Sequence, residues 1–216
     1  MPRMPWWPDL HQARPEADLP EREARNRMMQ TLHGQGFMLR PFRHADVPQF
    51  VAAVRESRAS VGVWMPWAHE GYDALDAQAW FDICADNLAA GSSYDVGVYS
   101  PDGRELYGGV AVSDVHSAYN MGNLGYWIRA SRQRQGLASR AAAMMACFAF
   151  HRLRLTRLEI VAAEHNAASR GVAEKIGAQF ECIARNRLVM HGLPCAAAVY
   201  SLVPESFGPA SLGGRG

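Results

Sequence analysis

Apolar residues in this chain recur in two rhythms. Short runs, rich in β-branched and aromatic residues and bounded by polar or turn residues, predict strands over 36–42, 93–99, 106–112, 121–129, 158–162, 178–185 and 196–203. Longer runs repeat every three or four residues and predict helices. The first helix starts at Asp46, a residue suited to an N-cap, and reaches about Ser57. The second starts at Asp73 or Asp76, carries Leu75, Ala79, Trp80, Ile83, Ala85 and Leu88, and is closed by Gly91. The third runs from Gly136 to about Arg152 on Leu137, Ala141, Met144, Met145 and Phe148; the fourth runs from Ala167 to Ile176 and ends at Gly177. Pro101-Asp102-Gly103 turns the strands over 93–99 and 106–112 into a hairpin. Strands interspersed with helices, including a strand-helix-strand unit, make the class α/β or α+β with a mixed sheet.

The two ends fall outside this pattern. Residues 1–34 open with four prolines and Trp6-Trp7, then become charged and helix-compatible. They read as a loosely ordered extension, or as a segment whose tryptophans dock on the body or on a second subunit, as in a homodimer. The folded domain is expected over 35–205, and the Gly-rich residues 206–216 as a mobile tail.

A length of 216 residues suits one such domain. Lys and Arg number 22 against 21 Asp and Glu, so no global field points to nucleic acid or to a membrane surface. Arg152, Arg154 and Arg157 form a local basic patch that reads as a solvated helix end. Cys84, Cys147, Cys182 and Cys195 lack C-x-x-C spacing, which argues against a zinc or redox site and for buried free thiols. No uncharged stretch is long enough to span a membrane and no signal-peptide core opens the chain, so the expected location is cytoplasmic.

Chemistry concentrates between residues 123 and 166. Leu124-Gly125-Tyr126-Trp127-Ile128 reads as a strand that feeds the third helix through Gln133-Arg134-Gln135-Gly136-Leu137-Ala138. A strand entering a helix through small residues leaves backbone N–H groups pointing outward at the helix start, where they attract phosphate. Gly136 and Ala138 lack bulk past Cβ and let a pyrophosphate approach. No Gly-Lys-Ser/Thr follows, so the run is not a Walker loop, and it lacks the first glycine of the dinucleotide fingerprint.

The run does match the Gln/Arg-x-x-Gly-x-Gly/Ala signature of the GCN5-related N-acetyltransferases (GNAT). With Gly125-Tyr126-Trp127-Ile128 before it, and Asn166-Ala167-Ala168-Ser169 and Val172-Ala173-Glu174-Lys175-Ile176-Gly177-Ala178 after it, the chain resembles the RimJ/RimL-type branch over about 37–204. The resemblance implies the GNAT fold: a mixed, mostly antiparallel sheet of about seven strands flanked by helices, with the fourth and fifth strands splayed. It implies acetyl-CoA as cosubstrate and no metal. The pyrophosphate would lie on the backbone of Gln135, Gly136, Leu137, Ala138 and Ser139, with Gln133, Arg134 and Arg140 as side-chain contacts. The backbone of Trp127, Ile128 and Arg129 would bind the pantetheine arm.

Two further residues carry over by resemblance. Asn166 would contact pantetheine, though it is equally suited to cap the next helix. Ser169 would protonate the departing thiolate, because the tyrosine many family members use is Ala173 here. The general base does not carry over: the branch's Glu falls at Leu188 or Arg187, and a frequent Asp at Ala196. His69, Glu70, Asp114, His116 and His191 are other candidates, as is a water chain. Trp64, Trp67 and Tyr126 are expected to line the acceptor site, while Trp80 reads as core packing. The favoured activity is acetyl transfer to a protein or peptide α-amine. A small-molecule amine acceptor, or a non-catalytic acetyl-CoA sensor, are the alternatives.

Overall fold

Local chemistry sets most element boundaries. Asp73 caps its helix by accepting from the N–H groups of Leu75 at 2.8 Å and Asp76 at 3.2 Å, and Gly91 ends it in the left-handed region at φ 69°. The computed structural model describes residues 29–206. In chain order the elements are β1 (Leu32–Gly34), β2 (Phe37–Pro41), α1 (Val47–Ser57), α2 (Ala74–Ala90), β3 (Tyr94–Tyr99) and β4 (Leu106–His116). There follow β5 (Met121–Ile128), α3 (Leu137–His151), β6 (Arg157–Ala163), α4 (Ala167–Lys175), β7 (Gln179–Met190) and β8 (Leu193–Leu202). Asp46 precedes α1 as expected, but its carboxylate does not cap it. That group instead takes both Arg40 amino groups, at 2.6 and 2.8 Å, and the Tyr99 hydroxyl at 2.8 Å.

The sheet has eight strands, in the order β1-β2-β3-β4-β5-β6-β8-β7. Pairing is antiparallel throughout except between β5 and β6. The strand added to the expected seven is β1, which pairs with β2 across a turn at Gly36. Three residues are too few to show a periodicity, which is why the sequence pattern leaves them in the N-terminal extension. Trp6, Trp7 and all but the first residue of the tail expected over 206–216 lie outside the described residues. The last two strands also run further than expected, to Met190 and from Leu193, joined by His191-Gly192 at φ 49° and 80°. Arg185, Asn186 and Arg187 are exposed, so this polar stretch is a solvated part of the hairpin.

One sheet face buries Leu39, Val96, Val110 and Leu124 against Leu137, Ala141, Met145 and Phe148 of α3. The other face receives α1 and α2, with Phe50, Val54 and Phe81 packed on Tyr99 and Leu106. Cys84 and Cys147 are buried or half-buried, as expected of inert thiols, whereas Cys182 is exposed on β7.

The sheet opens in its middle. β5 and β6 pair only at Met121–Arg157, Gly122–Leu158 and Asn123–Glu159. Beyond Asn123 they part, while β6 keeps its partner β8 from Leu158 to Ala163. This is the splay between the fourth and fifth expected strands.

Candidate active site

The segment between β5 and α3 is the one expected to hold the cofactor. A 3₁₀ turn over Ala130–Arg132 is followed by Arg134 at φ 62° and Gly136 at φ 69°, two left-handed positions that fold the chain tightly before the helix. The first intrahelical bond is Arg140 N–H to the Gly136 carbonyl at 3.2 Å, and no side chain caps the helix. The N–H groups of Leu137, Ala138 and Ser139 therefore face outward with the positive end of the helix dipole. A Cβ on Gly136 would lie 3.9 Å from Lys175 Nζ, so the end of α4 brings a cation to the same spot. This arrangement fits a pyrophosphate. The Lys175 contribution escaped the sequence reading because its residue number gives no hint that α4 ends beside Gly136.

The side chains expected on phosphate divide. Arg134 and Arg140 are exposed. Gln133 is engaged by the protein itself: its amide nitrogen donates to the Ile128 carbonyl at 2.9 Å and to Ser60 Oγ at 3.1 Å. Gln135 Nε2 is 3.4 Å from the Ser131 carbonyl.

The end of α1 grips this segment. Glu56 accepts from Arg129 Nε at 3.0 Å and from Ser131 N–H at 2.7 Å, and Ser57 Oγ accepts from Ala130 N–H at 3.0 Å. Arg129, expected to act through its backbone, thus uses its guanidinium as a structural tie. Its hydrogen bond, more than any other influence, holds the Glu56 carboxyl down at about 2.

Asn166 caps α4, its side-chain oxygen accepting from Ser169 N–H at 3.1 Å. Ser169 is half-buried, and its Oγ lies 3.4 Å from Tyr126 Oη. Tyr126 donates to the Ser169 carbonyl at 2.8 Å, which ties β5 to α4 across the splayed gap. Burial pushes the Tyr126 phenol up to about 12, so it stays protonated at neutral pH.

On the other face lies a cavity of about 490 Å³, bounded by α2, the loop after α1 and strands β3 to β5. Trp67 and Tyr126, the residues expected at the acceptor site, line it, and Trp127 joins them, with its ring centroid 5.6 Å from that of Trp67. Trp64 is not among the lining residues; its N–H closes a turn on the Val61 carbonyl. Trp80, read as core, is instead 36% exposed and faces the cavity with Asp76, Ala79 and Ile83. The core face of α2 is made by Ala77, Phe81 and Cys84, and Leu75 is 73% exposed. Both stripes of α2 have helical spacing, so periodicity alone could not tell which one meets a void.

Of the five residues considered as bases, only His69 lines this cavity, 3.7 Å from Asp76. Glu70 pairs with Arg58 at 3.1 Å, Asp114 accepts from Asn123 Nδ2 at 2.8 Å, and His116 stacks on Tyr119. His191 sits at the hairpin tip, 3.3 Å from the Val63 carbonyl. The basic patch is partly neutralised, with Arg157 bonded to Glu159 at 2.9 Å and to Glu181 at 2.6 Å. The sequence reading missed Asp95, a carboxylate in the cavity lining that accepts from Ser93 Oγ. Burial pushes its carboxyl up, the Ser93 hydrogen bond opposes that, and the Asp114 charge adds to it. In the run Tyr94-Asp95-Val96 it looks like a solvent-facing strand position, and only the cover provided by α2 makes it interior. Among the described residues no cluster of three or more His, Cys, Asp or Glu has the arrangement of a metal site.

Comparison with known proteins agrees with this geometry. Two relatives are named as putative ribosomal acetyltransferases. One is the ribosomal N-acetyltransferase YdaF of Bacillus subtilis (strain 168), 26% identical over 169 residues that cover 75% of this chain and 88% of YdaF. The other is a solved ribosomal-protein-serine acetyltransferase from Vibrio cholerae, 31% identical, with a TM-score of 0.71 over 81% of this chain and 98% of that one. A RimL structure, the ribosomal L7/L12 α-N-protein acetyltransferase in complex with coenzyme A, shares the fold at a TM-score of 0.74 and 16% identity, covering 81% of this chain and 98% of its own. The family model for the acetyltransferase (GNAT) domain matches residues 37–179, well over half of the chain, which therefore belongs to the GNAT acetyltransferases and is an acyltransferase.

Proposed function

We propose that this enzyme transfers acetyl from acetyl-CoA directly to a primary amine in a ternary complex, with the α-amine of a protein or peptide N-terminus as the favoured acceptor. One observation carries the reading. The aromatic cavity and the open β5–β6 gap meet on the same strand residues, Gly125, Tyr126 and Trp127. Two substrates bound on opposite sides of that strand bring their reacting atoms together, which supplies much of the rate by orientation.

The chain's residues then divide the work. Backbone N–H groups of Leu137, Ala138 and Ser139, with Lys175, hold the pyrophosphate. The free edge of β5 beyond Asn123 offers unpaired backbone groups to the pantetheine arm, as a strand edge does to an added strand. Ser169 Oγ, beside a neutral Tyr126 phenol, supplies the proton to the departing thiolate. Names of relatives support the N-terminal acceptor, since YdaF and the Vibrio cholerae protein are both named for ribosomal substrates. Such an enzyme works in the cytoplasm, where nascent chains and acetyl-CoA meet.

A small-amine acceptor is the second reading. A cavity of about 490 Å³ lies within the range of small-ligand sites, which favours it. The test is calorimetric titration with acetyl-CoA, followed by thiol release over N-terminal peptides and free amines. Micromolar binding with release on peptides is expected. Release on free amines alone would move the acceptor to the second reading. Binding with no release on any acceptor would make the protein a sensor, and an absence of binding would overturn the cofactor assignment.

A further inference from the structure

The cavity floor is unusual in how little it carries. On the face of β3, β4 and β5 turned towards α1 and α2, the register forms two rows, Asp95–Ala111–Gly125 and Gly97–Gly109–Trp127. The second row is covered. A Cβ on Gly97 would fall 2.3 Å from the Tyr99 ring, and one on Gly109 would fall 2.6 Å from Trp127 Nε1, so these rings lie over the glycines. The first row is open: nothing lies within 4 Å of where a Gly125 Cβ would be, and Ala111 contributes a single methyl. A bare strip thus crosses the sheet from the Asp95 carboxylate to β5, whose far edge opens on the cofactor gap. Its length is two strand spacings, about 10 Å.

At the β3 end of this strip stands a carboxylate with no cationic partner among the described residues, where only Ser93 Oγ donates to it. The remaining ionisable lining has the same bias. Asp76 is a second acid, His69 is its neighbour, and among the described residues no Lys or Arg lines the cavity. A carboxylate set in a mainly apolar wall rich in aromatic rings costs solvation free energy unless a cation meets it, and aromatic faces themselves attract cations.

Resting on the acetyltransferase reading, the geometry points to an acceptor with two positive groups: a reactive amine over Gly125, and a second ammonium or guanidinium bound to Asp95 at the end of an apolar arm lying across Ala111. A peptide whose first residue is Lys or Arg, and a free aliphatic diamine, share this chemistry. In the transfer itself the acceptor nitrogen forms the new C–N bond as the thioester C–S bond breaks, its electron pair leaving on sulfur. Of the two protons the nitrogen loses between ammonium and amide, one goes to solvent and one to the thiolate. Asp95 takes no part in this step and acts on specificity alone.

The experiment compares matched acceptors on the full chain: Lys-first against norleucine-first peptides, and diamines of four to eight carbons against amino alcohols of equal length. Thiol release gives kcat/KM, and calorimetry gives acceptor affinity and acetyl-CoA affinity separately. The second cation should raise kcat/KM about tenfold or more, mainly through KM. Asp95→Asn should remove that preference while leaving acetyl-CoA affinity unchanged, and Asp95→Glu should restore part of it. The better of the peptide and diamine arms identifies the source. Turnover with equal rates for paired acceptors, or a preference that survives Asp95→Asn, overturns the inference and leaves the acetyltransferase reading intact. If no acceptor is turned over but the wild type alone binds dications more tightly, the acetyltransferase reading fails and the Asp95 subsite stands.

Discussion

Replacing Glu56 by Gln tests whether the end of α1 anchors the cofactor segment. The carboxyl is held at about 2 against an ordinary value of 4.5, chiefly by Arg129. That gap corresponds to about 3.4 kcal/mol of preference for the charged form in the folded state. The carboxylate is 30% exposed, and solvent screening reduces the expected loss on substitution to about 1–2 kcal/mol. The sign follows from the depressed value: the stabilisation is complete above pH 4.5 and fades as pH falls through 2. At pH 3 about two-fifths of it should survive. Urea unfolding of both proteins at pH 7 and pH 3 measures this directly. The variant should be less stable at pH 7, and the difference should narrow by more than half at pH 3. Acetyl-CoA affinity should weaken as well, because Ser131 N–H and Arg129 lose a charged acceptor just ahead of the turn proposed to bind phosphate. Equal stability at pH 7, or the same deficit at both pH values, would refute the assignment of Glu56 as an ionic anchor.

Three other substitutions probe separate parts of the site. Gly136→Asp should abolish acetyl-CoA binding by calorimetry while preserving the fold, since Asp tolerates a left-handed φ better than most residues and its charge opposes the phosphates; unchanged affinity would remove the loop from the site. Gly108→Ala would set a Cβ 2.1 Å from the Trp127 carbonyl oxygen, a backbone atom that cannot move aside, so thermal or urea unfolding should show a loss of about 2–3 kcal/mol. Ser169→Ala should lower kcat about 100-fold or more with acetyl-CoA affinity near that of the parent, and an unaltered rate would exclude the serine as proton donor.

Much of this architecture was readable because local rules and tertiary structure agree. Asp73 and Gly91 bound α2 as their capping chemistry requires, Gly103 turns the β3–β4 hairpin, and Asn166 caps α4. The Gln133–Ala138 run does form the tight entry to α3. What stayed hidden depends on partners distant in sequence. Trp80 and Phe81 are both apolar residues on one helix, and only the space above β4 separates cavity wall from core. Gln133 matches a phosphate-binding signature, yet its amide is bound to Ile128 and Ser60. Lys175 reaches Gly136 only because α3 and α4 lie side by side, and Asp95 becomes interior only under α2.

The place of β8 has a consequence for biosynthesis. This strand is inserted between β6 and β7, so neither has its neighbour until residues 193–202 leave the ribosome. Until then the aliphatic edge of β6 and the exposed Phe180 and Ile183 of β7 are available to other chains. The hairpin turn at His191-Gly192, by delivering β8 directly onto β7, limits that exposure to one short closure. Chains whose residues 193–202 are still inside the ribosome should therefore need chaperone cover, whereas chains from which Leu202 has emerged should already hold the complete sheet.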